Sequence, residues 1–211
     1  MMIDNCIDSE INERINSLFN TYIEVVSPLI VQLEVMDGEF PTEILNEIRA
    51  TMTHFAKVNL SDNETVIYDN LTKAERHIKR AVLDGFKYSC LSLDDEYKNF
   101  EEKYKNVDLS IVDNGNFIVE LSKLRKKATA SLINAKSYES ETDADEDVLY
   151  TKYENAYNDY FDLNDYIDKS LKNLEIAKHK STKDLLIGKI GLWVGIGGLA
   201  VGIISVIINF L

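Results

Sequence analysis

The chain has 211 residues, with 36 acidic side chains against 23 basic ones, a formal charge of −13, and two cysteines. That length excludes a large multidomain enzyme. The charge excludes a general nucleic-acid coat, whose affinity comes from neutralising phosphates, and Cys6 and Cys90, without CxxC spacing, exclude a disulfide framework.

The N-terminal residues 1–13 lack a basic segment followed by an apolar one, so no signal peptide is expected. An apolar stripe of Ile11, Ile15, Leu18, Phe19, Tyr22, Val25, Val26, Leu29, Ile30, Leu33 and Met36 predicts a helix, kinked or broken at Pro28. Gly38, Pro41 and Thr42 mark a turn and a new start, and Ile44, Leu45, Ile48, Met52, Phe55 and Val58 carry the second helix. Ser61 with Glu64 fits a capping box opening a third, through Ile67, Leu71, Ala74, Ile78, Ala81 and Val82. Gly85 weakens this helix without having to end it, and Tyr97, Phe100 and Tyr104 keep its period. Residues 109–112 read as a short extended piece, and Asp113-Asn114-Gly115-Asn116 as a turn.

Residues 117–138 form the next helix through Leu121, Leu124, Ala128, Leu132 and Ala135. Six carboxylates within residues 139–147 then suit a solvated hairpin loop. Tyr150, Tyr153, Tyr157, Tyr160, Asn164, Ile167, Leu171 and Leu174 hold a three–four spacing and begin a long helix that no proline interrupts. The tyrosine stripe is either a core seam of a bundle or a self-associating stalk. The expected class is all-α: a helical bundle with a long C-terminal helix leading into a single transmembrane helix. The expected parts are a helical domain over residues 1–180, a neck over 181–189, and a span over 190–211.

Residues 190–211 are 22 in number and carry no charge. About 20 apolar residues in a helix suffice to cross a hydrocarbon core, and helix is the form that satisfies the backbone there. After Asp168, Lys169, Lys172, Lys178, Lys180, Lys183 and Lys189 face only Glu175 and Asp184, so a body of net charge −17 over residues 1–168 sits behind a basic neck. Lysines on that flank place the body in the cytoplasm of a tail-anchored protein. Gly188, Gly191, Gly195, Gly198, Gly202 and Ser205 are spaced alternately three and four, a heptad seam of small residues on one helix face. Such seams let helix backbones approach closely in lipid, which implies a homo-oligomer. Leu192, Trp193, Ile196, Leu199, Ile203, Val206 and Phe210 form the opposite, lipid-facing side.

Catalytic and cofactor motifs are missing: no His-Glu-x-x-His, no phosphate-binding Gly-Lys-Ser/Thr loop, no GxGxxG after a strand. The three histidines, His54, His77 and His179, have no second ligand at metal spacing. The acidic runs Asp94-Asp95-Glu96 and 143–147 read as solvated surface. The expectation is a non-enzyme without cofactor or metal. Two basic clusters stand out: Lys73, Arg76, His77 and Arg80, with Lys79 beside them, and Lys123, Lys126 and Lys127, with Arg125 beside them. Either they pair with the acidic surface, or they bind an anionic ligand, a nucleotide or short oligonucleotide, at a site formed in an oligomer.

A helical cytoplasmic body behind a glycine-seamed terminal span resembles the membrane effectors of bacterial antiphage defence systems, among them the Hailong-type effectors paired with a nucleotidyltransferase. The resemblance covers the whole plan and carries over no individual site residue. It implies a protein of the bacterial inner membrane that stays quiet until a signal changes, then opens or oligomerises and permeabilises the membrane, with a partner protein from the same system. Apoptosis regulators of the Bcl-2 type share the tail anchor, but their Asn-Trp-Gly-Arg motif is missing here. SNARE-type fusion proteins carry longer heptad runs than this neck. A tail-anchored, non-conducting scaffold or adaptor is the alternative.

Overall fold

The computed structural model describes the backbone of residues 2–210 and the side chains of residues 9–182. These residues form helices and turns, with no strand. Helix α1 (Met2–Thr21) passes through a π-helical turn (Tyr22–Val26) into α2 (Ser27–Asp37). Pro28 therefore does not break the helix. Its ring would collide with the carbonyl four residues back, and the wider π turn just before it accommodates this, with the Ser27 amide donating to the Tyr22 carbonyl five residues earlier.

Helix α2 stops at Gly38, whose φ of 70° is the left-handed conformation that ends helices and favours glycine, its amide donating to the Glu34 carbonyl. Helix α3 (Thr42–Asn59) follows Pro41. Helix α4 spans Glu64–Tyr104, 41 residues, and runs straight through Gly85. Its N-terminus is capped by Asn63 rather than Ser61: the Asn63 side-chain oxygen accepts from the Val66 amide at 3.3 Å, while Ser61 Oγ accepts from the Asn63 amide. The piece expected to be extended is a 3-10 turn, Leu109–Gly115. There Asp113, Asn114 and Gly115 all take positive φ, which Asp, Asn and Gly tolerate best. Helix α5 is Asn116–Glu139, and α6 is one helix of 65 residues, Glu146–Phe210.

The chain divides into two units, Met1–Tyr97 with Leu124–Asn164, and Lys98–Lys123 with Asp165–Leu211. In the first, Leu18, Val26, Leu29, Ile30 and Leu33 meet Ile44, Phe55 and Val58 of α3 and Leu71, Ile78, Val82 and Phe86 of α4. Tyr153 of α6 belongs to the same core. Tyr160 and Leu163 of α6 are also buried in this unit, so this part of the tyrosine stripe is a core seam. Each such side chain contributes about 1.5–3 kcal/mol by leaving water. Gly85 lets α4 come close to α2: a Cβ on it would stand 2.8 Å from Leu29 Cδ1. Burial pushes the Cys90 thiol up to about 12, which removes it as a nucleophile.

The second unit has its own aromatic core. Phe117 stacks on Tyr166 at 5.4 Å and meets Phe100 edge-on at 6.4 Å, with Leu121, Val112, Ile167 and Leu174 buried. The Tyr104 hydroxyl donates to Glu175 at 2.6 Å, and Lys103 pairs with the same carboxylate at 2.7 Å. The Asp108 amide donates to Ser181 Oγ, tying the loop after α4 to α6.

Candidate functional site

The α4 cluster is partly committed to contacts inside the chain. Lys73 donates to Asp69 one turn earlier at 2.7 Å, which holds that carboxyl below its usual range. His77 Nδ1 lies 2.6 Å from Glu47 of α3, and the His77 ring stacks on His54 with centroids 5.3 Å apart. Asn70 donates to the Val66 carbonyl, which leaves its side-chain oxygen to accept from His54 Nδ1 at 2.9 Å. Lys79 reaches Asp147, in the first turn of α6, at 2.7 Å. Arg76 and Arg80 are exposed, and no hydrogen bond or ion pair among the described residues engages their side chains.

On α5, Lys123 pairs with Glu120 at 3.0 Å, and Lys127 with Asp159 at 2.7 Å. Arg125 donates to Asp94 at 2.5 Å and lies over the Tyr97 ring, 4.3 Å from its centroid. Lys126 is exposed and has no such partner among the described residues. Arg125 contacts α4 at Asp94, 18 residues beyond Arg76. At 1.5 Å per residue that contact lies about 27 Å along α4 from Arg76 and about 21 Å from Arg80. For a small anionic ligand, the exposed guanidiniums of Arg76 and Arg80 are the candidate donors.

A cleft of about 450 Å³ between α1, α4 and the start of α6 was not foreseen from the sequence. Leu18, Ile78 and Val82 line it together with two ion pairs, Arg14–Glu75 and Lys79–Asp147. Arg14 also donates to Thr72 at 3.2 Å. These partners stand 61 and 68 residues apart in sequence, beyond the reach of any helical spacing rule. Both cations are already matched by carboxylates, so the cleft offers no net positive charge to an anion. Among the described residues, no three His, Cys, Asp or Glu side chains gather in a way that could hold a metal ion.

Among the described residues, one stretch is long and apolar enough to cross a membrane by length and composition: Ser9–Asp37, the α1–α2 helix. Its apolar side chains Leu18, Val26, Leu29, Ile30 and Leu33 are buried in the first unit, and Arg14 within it is paired with Glu75. Ile23, Val31 and Val35 of the same stretch are exposed. The charge-free run 190–211 and the seam of Gly188, Gly191, Gly195, Gly198, Gly202 and Ser205 lie outside the residues whose side chains are described, though the backbone of α6 is helical as far as Phe210. No family model matches the chain, and neither a curated protein nor a solved structure does.

Proposed function

We propose that this protein is a non-enzymatic membrane effector, anchored in the bacterial inner membrane by residues 190–211 and able to permeabilise or depolarise it as a homo-oligomer. Antiphage defence is the setting, and a nucleotide, a short oligonucleotide or a partner protein at the helical domain is the control. The observation that carries this reading is the continuity of α6. One helix of 65 residues, Glu146–Phe210, begins among the core residues Leu149 and Tyr153 and continues through the basic neck into the charge-free run. A rotation or shift of the helix in the body is therefore passed to the span without an intervening loop. A signal can bias the closed and open arrangements only by binding one of them better. The exposed Arg76 and Arg80 on α4 suit a phosphate-bearing signal.

The test is leakage from anionic vesicles carrying the purified full chain, compared with Gly195→Leu and Gly198→Leu. A pore packed through the glycine seam loses conductance when bulky side chains hold the helices apart, while the chain stays bound to the vesicles. Conductance unchanged by both substitutions would remove the seam from the mechanism. No leakage from any of the chains, with or without an added nucleotide, would favour a passive scaffold or adaptor.

A further inference from the structure

Ser9–Asp37, the α1–α2 run of 29 residues, is long and apolar enough to cross a membrane. A core helix of a soluble bundle reaches such hydropathy while mostly buried; of the apolar window here only 28% is buried. Residues 15–33 hold one charged side chain, Glu24. At 1.5 Å rise they extend about 28 Å, close to the thickness of a hydrocarbon core. The π turn carries the helix past Pro28 without a break, and an unbroken helix is what hydrocarbon demands of a spanning segment. Helix α2 is apolar on both sides: Leu29, Ile30 and Leu33 are buried in the first unit, while Val31 is 56% exposed and Val35 79%. A helix apolar all round belongs inside a core or a bilayer, and this one is covered on one side only.

The remaining face of α1 is polar without being basic. Asn12, Asn16, Ser17, Asn20, Thr21 and Glu24 share one side of α1 and the π turn, where they line a single trough. Helices that lie flat on a membrane carry lysine and arginine on the polar face. Here no lysine or arginine occurs between Arg14 and Arg49. A carboxylate in mid-span is costly in lipid and is found facing a water-filled path. We propose that Ser9–Asp37 is a second membrane segment, which leaves the bundle in the active state and crosses the bilayer. The stripe from Asn12 to Glu24 then faces the water path, and Phe19, Ile23, Val31 and Val35 face lipid. In the bundle three contacts hold the segment. Arg14 donates to Glu75 of α4 at 2.7 Å, Leu29 closes on Gly85, and Gln32 accepts from the Tyr157 hydroxyl of α6 at 2.9 Å. The last of these ties the segment to the helix that continues into residues 190–211, so a shift of α6 that breaks it loosens α2. The inference rests on the permeabilising effector of the proposed function and adds the segment that lines the path.

The experiment places the environment-sensitive fluorophore NBD on single cysteines of the full chain, in a Cys6→Ser background. The label is attached before reconstitution, so buried Cys90 stays unlabelled. The vesicles are phosphatidylethanolamine with phosphatidylglycerol, with and without added ATP. Ile23, Asn20 and Lys57 are all exposed in the bundle, so the fold tolerates a label at each. In leaking vesicles the Ile23→Cys label is expected to lose most of its quenching by iodide and to gain quenching by nitroxides in mid-bilayer. Lys57→Cys on α3 and Asn20→Cys on the polar stripe are expected to stay open to iodide. A carboxylate on the path favours cations, so the leak is expected to prefer potassium to chloride, and Glu24→Lys to reverse the preference. An Ile23 label that stays in water or at the headgroups while the vesicles leak would overturn the proposal alone, as would a selectivity that Glu24→Lys leaves unchanged. Vesicles that stay tight with the Ile23 label in mid-bilayer would keep the segment as a span and overturn the proposed function. Tight vesicles with that label in water would remove both.

Discussion

Gly85 of α4 and Leu29 of α2 touch so closely that the missing side chain of one is the space filled by the other: a Cβ at Gly85 would meet Leu29 Cδ1 at 2.8 Å and Leu29 Cβ at 3.3 Å. Two effects of Gly85→Ala oppose each other. Alanine favours the helix by about 1 kcal/mol, and overpacking costs about 1–3 kcal/mol in a tight core. The clash is expected to win, leaving the variant less stable by about 1 kcal/mol. In a Leu29→Ala background the clash with Cδ1 is gone and only the 3.3 Å approach to the alanine Cβ remains, so Gly85→Ala is expected to be close to neutral there. Urea unfolding of the four chains measures this cycle, and additive effects would contradict the contact.

Arg125 and Asp94 form a largely enclosed ion pair across α4 and α5, with side chains 27% and 17% exposed. The Tyr160 hydroxyl donates to the same carboxylate at 2.9 Å. Arg125→Ala removes this charge-assisted hydrogen bond to Asp94 and is expected to cost about 2 kcal/mol. Arg125→Lys keeps the charge but loses the planar group lying over Tyr97, so about half of that loss should remain. Thermal unfolding of both variants checks the order.

Glu175 titrates far from its ordinary range. The ammonium of Lys103 and the hydroxyl of Tyr104 both donate to its carboxylate and pull its pKa from 4.5 to about 2. Because the folded value is the lower one, the stabilisation is fully present above about pH 4.5 and is lost as the pH falls towards 2. Carbon-detected NMR of the Glu175 carboxyl is expected to show a midpoint near 2 in the native chain. Lys103→Met should move that midpoint upwards, and an unmoved midpoint would take the lysine out of the account.

The spacing between the basic clusters makes a prediction about ligands. Arg76→Glu with Arg80→Glu is expected to weaken binding of ATP or a labelled tetranucleotide by at least about tenfold, or about 1.4 kcal/mol. Lys126→Glu, on α5 rather than α4, should leave ATP binding unchanged. Isothermal titration of the full chain in detergent separates the two sites. A loss of ATP affinity in Lys126→Glu equal to that in the arginine pair would mean that the ligand is shared between chains.

Much of the helical plan was legible because its signals are local. Apolar residues three and four apart marked every main helix, and Gly38 and Asp113-Asn114-Gly115 marked two of the turns. Local signals also erred where two chemistries compete. Pro28 reads as a kink or a break, and a π turn just before it keeps the helical run unbroken; Ser61 reads as a cap until Asn63, nearer the helix, takes the role. Residues 109–112 carry strand-forming side chains, yet Asp108 caps a 3-10 turn by accepting from the Ser110 amide. What stayed hidden was long-range. Nothing near Gly85 points to Leu29, and nothing in the α4 cluster shows that His77 is held by Glu47 while Arg76 and Arg80 make no hydrogen bond or ion pair among the described residues. The exposure of Phe19 and Met52 was hidden for the same reason: both fit a core stripe, and only the packing of the helices leaves them facing water.

The most direct measurement is the membrane potential of bacteria expressing the full chain, the Gly195→Leu chain, or a chain ending at Asp184, each with the neighbouring genes of its native locus and under phage challenge. The account predicts depolarisation by the full chain alone. Depolarisation by the chain ending at Asp184 would move the activity into the helical body, and a membrane that stays polarised with all three would contradict a permeabilising function.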